Sequence, residues 1–310
     1  MLYLKKIFTI ILLSLLGIAQ AQVITVTTAI GEGGSSTNIM RYLFSQMPNT
    51  TLIFNRKPGA DGVIAANYYK LNGENNTFML CGLASTFVLS DVLYKSNKTY
   101  TRQDFEMVIS LGRAVSMVVA APNSKSSTIL DIQKRIVAGE NISLGSMSGI
   151  VKAWTTELAE NLGSKQVTLV PYKSASQLGT DVAGGHVEFA ILNGSTATML
   201  HKNDRIKIIA VVSNNRLHDL PDIPTVAETL KGFGSYIDST IALMVPADTP
   251  KSVIAHYNLQ LSAIMSTPEA KAIWTQNQIY FNNSDLSIPL INKRLENMIA
   301  NKERLERIFK

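Results

Sequence analysis

The sequence predicts an α/β protein, and three observations carry the prediction. Short apolar runs rich in β-branched residues alternate with segments of helical spacing, from "VITVTTAI" near the start to "IALMVPA" near the end. This alternation is typical of largely parallel sheets covered by helices. Several of the helical segments carry explicit start signals. The chain, at 310 residues, is also too long for one typical compact core, so we expect two.

The first 21 residues are predicted to be a secretory signal peptide. Lys5 and Lys6 precede a short apolar stretch, and Ala19-Gln20-Ala21 supplies a small-x-small cleavage site. The alternative, a membrane anchor, is disfavoured because the uninterrupted apolar part is shorter than the ~20 residues that span a bilayer. We therefore expect cleavage after Ala21 and a mature, exported, soluble protein.

Nine apolar runs are the predicted strands. In chain order they are "VITVTTAI", "TLIFN", "TFMLCGL", "MVISLGRAVSMVVAAP", "ISLGSM", "VTLVPY", "VEFAILN", "IKIIAVVS" and "IALMVPA". We expect two of these runs to cross between two domains. They are the fourth run and the last run, extended as "STIALMVPA". Two crossings predict a discontinuous first domain (22–120 and 243–310), a second domain (121–242) and a cleft between them.

Helix ends can also be located in the sequence. A hydroxyl followed three residues later by a carboxylate satisfies orphan amides in a capping box, and a cap before proline starts a helix in the same way. Gly163 ends "SGIVKAWTTELAENLG" where a left-handed cap is expected. The four predicted starts are Thr128 with Asp131, Thr225 with Glu228, Thr249 before Pro250, and Thr267 before Pro268.

Charge and cysteine content exclude several classes of protein. The mature chain keeps 27 Lys and Arg against 23 Asp and Glu, a net charge of about +4 without blocks of like charge. This argues against nucleic acid as a partner. Cys81 is the single cysteine, so no intramolecular disulfide forms, and its apolar setting "TFMLCGL" predicts a buried, inert thiol.

Two glycine-serine loops each lie between a predicted strand and a predicted helix. The first, "GEGGSST" at 31–37, lacks the lysine of a phosphate loop and the third glycine of a dinucleotide loop. The second, "GSMSG" at 145–149, has Met147 where a nucleophile elbow needs serine. The four histidines show no metal-ligand spacing. We therefore expect no cofactor, no metal and no catalytic residue, and binding of an anion by amides at helix N-termini, with a merely tight turn as the alternative for the first loop.

The chain resembles the substrate-binding proteins of tripartite tricarboxylate transporters, the Bug family. "HDLPDIPTVAETL" at 218–230 is similar to the family signature "LPDVPTVAE", and "NRKPGADGVIAA" at 55–66 to "NRPGAGGxIGA". Further matches are "ISLGSMSGIVKAW", "VTLVPYKSASQLGTDVAGGHVEFAILN" and "IALMVPADTPKSVI", in the family's order. The resemblance implies a type II periplasmic-binding-protein fold, two α/β domains joined by two crossing strands around a ligand cleft.

The resemblance also implies a function and a set of site residues. The expected protein is a monomeric extracytoplasmic receptor that captures a small carboxylate and delivers it to the membrane subunits of the transporter. Backbone amides, hydroxyls and water, without an arginine clamp, are expected to hold the carboxylate. The predicted ligand-binding residues are Gly33, Gly34, Ser35, Ser36, Thr37, Ser85, Thr86, Ser146, Ser148, Gly149 and Asn193.

Some questions stay open from sequence alone. Thr37 stands where the family usually has Asp, and Ser174 replaces the glycine of "PYKG", so the identity of the carboxylate is not fixed. Tyr172 and Lys173 are expected to have a structural role near the cleft. Two alternative functions are a ligand sensor that signals to a membrane kinase and, less favoured, a secreted α/β enzyme.

Overall fold

The computed structural model describes residues 22–31, 34–74, 77–213, 215–234, 237 and 239–310, so the predicted signal peptide and Gly33 lie outside the described part of the chain. The described strands are β1 (Gln22–Thr28), β2 (Thr50–Arg56), β3 (Thr77–Gly82), β4 (Phe105–Ala114), β5 (Ser116–Ala120), β6 (Ile142–Ser146), β7 (Val167–Pro171), β8 (Phe189–Asn193), β9 (Lys207–Val212), β10 (Thr240–Pro246) and β11 (Ile279–Tyr280).

Helices follow most of these strands. They are α1 (Ser35–Ser45), α2 (Val63–Asn72), α3 (Ser90–Leu93), α4 (Ile129–Val137), α5 (Gly149–Leu162), α6 (Ala175–Ala183), α7 (Gly194–Lys202), α8 (Val226–Thr229), α9 (Lys251–Met265), α10 (Pro268–Gln276), α11 (Asn283–Leu286), α12 (Ile288–Ala300) and α13 (Glu303–Phe309). A π-helical stretch at Ser85–Leu89 leads directly into α3, and a 3₁₀ turn at Ala60–Gly62 leads into α2.

The strands form two sheets, which agrees with the two α/β domains that the sequence predicts. The first sheet has the order β11-β4-β10-β3-β1-β2 and the second the order β7-β6-β8-β5-β9. Strands β1, β2 and β3 pair in parallel, as do β6, β7 and β8. Strands β4, β5, β9, β10 and β11 pair antiparallel. The expectation of largely parallel sheets is therefore wrong, because the segments that pass between sheets enter each one in the opposite direction.

The chain changes sheet twice. It passes from β4 to β5 at Val115, and it returns from β9 to β10 through residues 213–239. The domain limits at residues 120 and 242, which the sequence analysis gives, stay predictions. Since β5 belongs to the second sheet and β10 to the first, we propose limits near 115 and 239.

Most of the predicted helix ends are confirmed. Thr128 and Thr225 each form a capping box, Thr267 caps α10 through its hydroxyl, and Gly163 ends α5 in a left-handed conformation. The predicted cap at Thr249 is wrong by one residue. Helix α9 begins at Lys251 with Pro250 in extended backbone at the capping position, where proline has no amide that needs a partner.

Packing between α5 and the π-helical stretch at Ser85–Leu89 joins the two domains. Trp154 and Leu158 on α5 are buried, and one apolar cluster combines Trp154 with Phe87 from the π-helical stretch of the first domain. Cys81 is buried as predicted, and desolvation raises the pKa of its thiol to about 12. In the described residues no helix combines the length and the apolar character that crossing a bilayer requires.

Candidate binding cleft between the two sheets

The predicted site residues lie at the carboxyl ends of the parallel strands. Because β1, β2 and β3 are parallel neighbours, the loops after them meet at one edge of the first sheet. The loops after β6 and β8 meet in the same way at one edge of the second sheet. The two domains come into contact where α5 packs against the Ser85–Leu89 stretch.

The first loop presents the beginning of α1 to this region. Gly34 occupies the capping position with extended backbone (φ −66°, ψ 143°), and no side chain caps the helix. Within the described chain, the amides of Ser35 and Ser36 and both hydroxyls have no hydrogen-bond partner. Free amides at a helix N-terminus carry partial positive charge and suit an anion.

Thr37 has a different environment from the two serines. Its side chain is fully buried, and its hydroxyl donates to the carbonyl oxygen of Gly34 at 2.8 Å and approaches that of Gly31 at 3.4 Å. The hydroxyl therefore holds the two ends of the loop together. We propose that Thr37 shapes the loop and that it does not itself contact a ligand.

The loop after β3 places Ser85 and Thr86 beside the loop after β2. A Cβ built on Gly62 would lie 3.4 Å from Thr86 Oγ1, so the two loops are in contact. The carbonyl oxygen of Thr86 accepts hydrogen bonds from the hydroxyls of Ser90 and Tyr100. Ser85 is half-buried, and its hydroxyl has no partner in the described chain, so it is free to donate.

The loop after β2 has an unusual backbone and carries a carboxylate. Gly59, Ala60, Asp61 and Gly62 all have positive φ, with +47° at Ala60 and +49° at Asp61. A left-handed conformation costs about 1–2 kcal/mol for each residue other than glycine. Strain of this kind often accumulates where a protein positions a functional group.

Asp61 is the group that this loop positions between the domains. Its Oδ1 lies 3.3 Å from a Cβ built on Gly149, the first residue of α5, and its Oδ2 accepts a hydrogen bond from the hydroxyl of Tyr94 at 3.2 Å. Desolvation and the neighbouring Asp61 carboxylate raise the pKa of Tyr94, so this phenol stays protonated and donates. Asp61 therefore lies at the junction of the two domains.

The second sheet contributes the N-termini of α5 and α7. Ser148 occupies the capping position of α5, but its hydroxyl makes no capping bond and has no partner in the described chain. Ser146 is buried, with its hydroxyl 3.4 Å from the carbonyl oxygen of Met147. Asn193 uses its side-chain oxygen to cap α7 at the amide of Thr196, 2.9 Å away.

The structure thus places some of the predicted site residues close together and others apart. Thr86 and Gly149 are linked through the loop that contains Gly62 and Asp61. Asn193 lies at the same sheet edge as Ser146 but is exposed, and it neighbours the crossing strand β5 through its pairing with Ser116. No hydrogen bond in the described chain joins Asn193 to the loops of the first sheet.

Sequence reasoning missed Asp61 and Tyr94. A signal was present, since Asp61 lies between Gly59 and Gly62 in the quoted "NRKPGADGVIAA", and closely spaced glycines indicate left-handed backbone. The contact with Gly149 depends on how the domains pack, which no local pattern encodes.

The "PYK" and "LPDIPTVAE" segments each form a side-chain hydrogen bond or ion pair with another residue of the second domain. Tyr172 donates to Asp181 at 2.7 Å, and desolvation followed by this bond raises its pKa to about 12. Arg216 forms a bidentate pair with Glu228, whose pKa the arginine and the amide of Thr225 lower to about 2. These bonds support a structural role for both segments.

A separate cavity of about 970 Å³ lies beside the crossing segments. Residues from β4, from the return crossing and from helices α11–α13 line it, and none of the predicted site residues does. Its lining includes Arg113 and Arg294, both paired with Asp285. Among the described residues, no cluster of His, Cys, Asp and Glu has the geometry of a metal site.

Comparisons with solved structures support the fold. The periplasmic binding protein BugD superimposes with a TM-score of 0.74 at 21% identity, covering 92% of this chain and 97% of that one. MatC from Rhodopseudomonas palustris with bound malate gives 0.72 at 16% identity, covering 92% and 99%. R. palustris Rpa4515 with adipate gives 0.77 at 20% identity, covering 93% and 96%. All three share the two-domain α/β fold.

Sequence comparison identifies the family. A UPF0065 protein encoded in the TAR-I ttuE-ttuC' intergenic region of Agrobacterium vitis is 26% identical over 253 residues, which is 79% of this chain and 72% of the relative. Protein BugT of Bordetella pertussis is 23% identical over 246 residues, 76% of this chain and 74% of the relative. The family described as "Tripartite tricarboxylate transporter family receptor" matches residues 40–301. The chain therefore belongs to the tripartite tricarboxylate transporter receptor family.

Proposed function

We propose that this protein is a periplasmic solute receptor that binds a small carboxylate between its two domains and delivers it to the membrane subunits of a tripartite tricarboxylate-type transporter. One observation carries the proposal. The first turn of α1 offers the amides of Ser35 and Ser36 and both hydroxyls without a partner in the described chain, at the edge of the first sheet where the loops after β1, β2 and β3 meet. A carboxylate matches these donors in charge and in size.

The comparisons favour the same ligand class. Two proteins of the same fold are described with bound malate and with adipate, and both ligands are carboxylates. The transporter partner is proposed from the family to which the chain belongs. Cleavage after Ala21, export and a monomeric state complete the proposal, as the sequence predicts.

The proposal includes no chemical step on the ligand. Among the described residues, the serines near the cleft have no histidine partner, and the four histidines of the chain lie at 186, 201, 218 and 256, away from the strand ends that form the site. A receptor releases its ligand unchanged, so product analysis after prolonged incubation separates it from an enzyme. A sensor would bind the same ligand but would act on a membrane kinase.

A thermal-shift screen of the mature chain tests the proposal. Small mono-, di- and tricarboxylates are compared with their primary amides at the same concentration, after exhaustive chelation. A carboxylate at ~100 times its dissociation constant stabilises the folded state by about 2.7 kcal/mol, and its amide does not. Equal shifts with carboxylates and amides, or no shift with any carboxylate, would contradict the proposal.

A further inference from the structure

The short helix α13 contacts both domains, beside the segments that join them. We propose that α13 is a strap that favours the closed arrangement of the domains, the one described here with Asp61 next to Gly149, and that opening requires α13 to separate from α5. The effect of this strap on ligand binding rests on the function proposed above, whereas its effect on the arrangement of the domains does not. Three features support the proposal: the contacts of α13, a buried carboxylate on α5 and the cavity beside α13.

The covalent connection of α13 is to the first domain. Helix α12 packs against β4 and the Ser85–Leu89 stretch, so it belongs to that domain. Asn301 and Lys302 alone separate α12 from α13, and α13 then packs against α3 of the same domain. The ammonium group of Lys302 lies 4.0 Å from the carboxylate of Asp91 on α3. The first domain therefore holds the beginning of α13.

The same helix also contacts α5 of the second domain. Leu305 is fully buried in the apolar cluster that combines the two domains. Arg304 donates from Nη2 to Oε1 of Glu157 at 2.8 Å. The ammonium group of Lys152 on α5 lies 4.9 Å from the centre of the Phe309 ring. Because α13 is joined to the first domain, rotation of the second domain away from the first must break these contacts with α5.

Glu157 is the buried group on which the contact with α5 depends. Its side chain is 3% exposed, and its carboxylate accepts hydrogen bonds from Arg304 and, at 2.9 Å, from the amide of Gly234. Gly234 belongs to the return crossing, so Glu157 connects α5 both to α13 and to a segment that joins the domains. Removing the partner of a buried charge is strongly unfavourable. The ion pair therefore opposes separation of α13 from α5.

The cavity of about 970 Å³ described above gives α13 room to move. Arg304 and Arg307 of α13 line this cavity, together with Met298 of α12 and Gly234 of the return crossing. Protein interiors are close-packed and resist displacement, so an element that borders open space moves at a lower cost than one packed on every side. Helix α13 therefore combines polar contacts that hold it in place with space into which it can shift.

The test removes the ion pair and measures the shape of the mature protein without ligand. The double variant Glu157→Gln/Arg304→Gln removes both charges, so no buried charge is left without its partner. Lys152→Gln is a milder second variant that removes only the contact with the Phe309 ring. Small-angle scattering gives the radius of gyration, circular dichroism verifies folding, and calorimetry gives the dissociation constant of the best carboxylate from the screen.

Two control variants separate a strap from a general loss of stability. Arg307→Gln removes a positive charge from the same helix, at an exposed residue that has no hydrogen bond or ion pair in the described chain. Glu188→Gln removes a carboxylate whose partner, Arg135, lies in the same domain. It should lower stability without changing how the domains are arranged. We expect both controls to keep the radius of gyration of the wild type.

We expect the double variant, and to a smaller extent Lys152→Gln, to have a larger radius without ligand than the wild type and both controls. Because the closed state becomes less populated, carboxylate binding should weaken by about threefold or more. A folded double variant with the radius of the wild type overturns the inference, as does an equal increase in Glu188→Gln. If the double variant does not fold, an unchanged radius in Lys152→Gln overturns it instead. A wild type that binds no carboxylate contradicts the receptor proposal, while the radii without ligand still decide whether α13 is a strap.

Discussion

Single residues at the start of α1 determine whether an anion can bind there. Gly34 has extended backbone that any residue can adopt, so its conformation does not require glycine. Close packing does, because a Cβ at this position would lie 2.8 Å from Ile30 Cγ2. Any side chain at Gly34 therefore disturbs the loop regardless of its charge. Ser35 is the better position for a charge test, because it is half-exposed and makes no hydrogen bond in the described chain.

We predict that Ser35→Asp weakens carboxylate binding at least tenfold more than Ser35→Asn. At ~4 Å and an effective dielectric of about 20, two like charges repel by roughly 4 kcal/mol, and solvent in the cleft reduces this value. An acidic residue in the first turn stabilises the helix by about 0.3–1 kcal/mol, so the fold is retained. Calorimetric titration of both folded variants checks the prediction. Equal affinities would place the carboxylate elsewhere.

At the scale of elements, a bidentate ion pair joins α4 to Glu188, the residue directly before β8. Arg135 donates to both carboxylate oxygens of Glu188, at 2.5 and 3.1 Å, and the hydroxyl of Ser124 donates to Glu188 at 2.7 Å. Desolvation raises the pKa of Glu188, but the hydrogen bonds from Arg135 and Ser124 outweigh it and leave the pKa below its usual value. The ionised carboxylate therefore stabilises the folded second domain.

Glu188→Gln should destabilise the protein by about 1–3 kcal/mol at neutral pH. Because the folded pKa is lowered, this stabilisation is present above the unfolded pKa and is lost as the pH falls through the folded pKa. Urea denaturation of the wild type and the variant should thus converge toward acid pH. Glu140→Gln serves as the control, since Glu140 is exposed and its bond to Arg135 is expected to contribute less than 1 kcal/mol. A pH-independent difference for Glu188→Gln would contradict the assignment.

The sequence predicted the elements that local patterns encode and missed those that tertiary packing creates. The nine apolar runs coincide with the strands β1 to β10. Most of these strands are buried, and a buried strand needs a continuous apolar segment. The two-residue strand β11 was not predicted, because Ile279 and Tyr280 alone are too short a segment to show a pattern. The position of Asp61 between the domains was not predicted, because its neighbour Gly149 is distant in sequence.

The whole molecule is organised around two crossings that join the sheets. Since the chain passes between sheets at Val115 and again over residues 213–239, the two domains have few covalent links. We propose that they rotate about these links when ligand binds or leaves. The contact between Asp61 and Gly149 brings the domains together at the site. We expect ligand binding to favour this arrangement.

Small-angle scattering should detect this closure. The radius of gyration of the mature chain is predicted to be smaller with saturating carboxylate than without it. Asp204 follows the C-terminal end of α7, the end opposite to Asn193, so the variant Asp204→Asn should show the same decrease. A radius that stays constant while calorimetry confirms binding would reject domain closure.

Calorimetric titration of the chelated mature protein with the best carboxylate from the screen, and with its primary amide, tests the central claim most directly. The account predicts saturable one-to-one binding of the carboxylate that persists after metal removal and that the amide does not reproduce. Loss of all binding on chelation, or equal affinity for the amide, would contradict it.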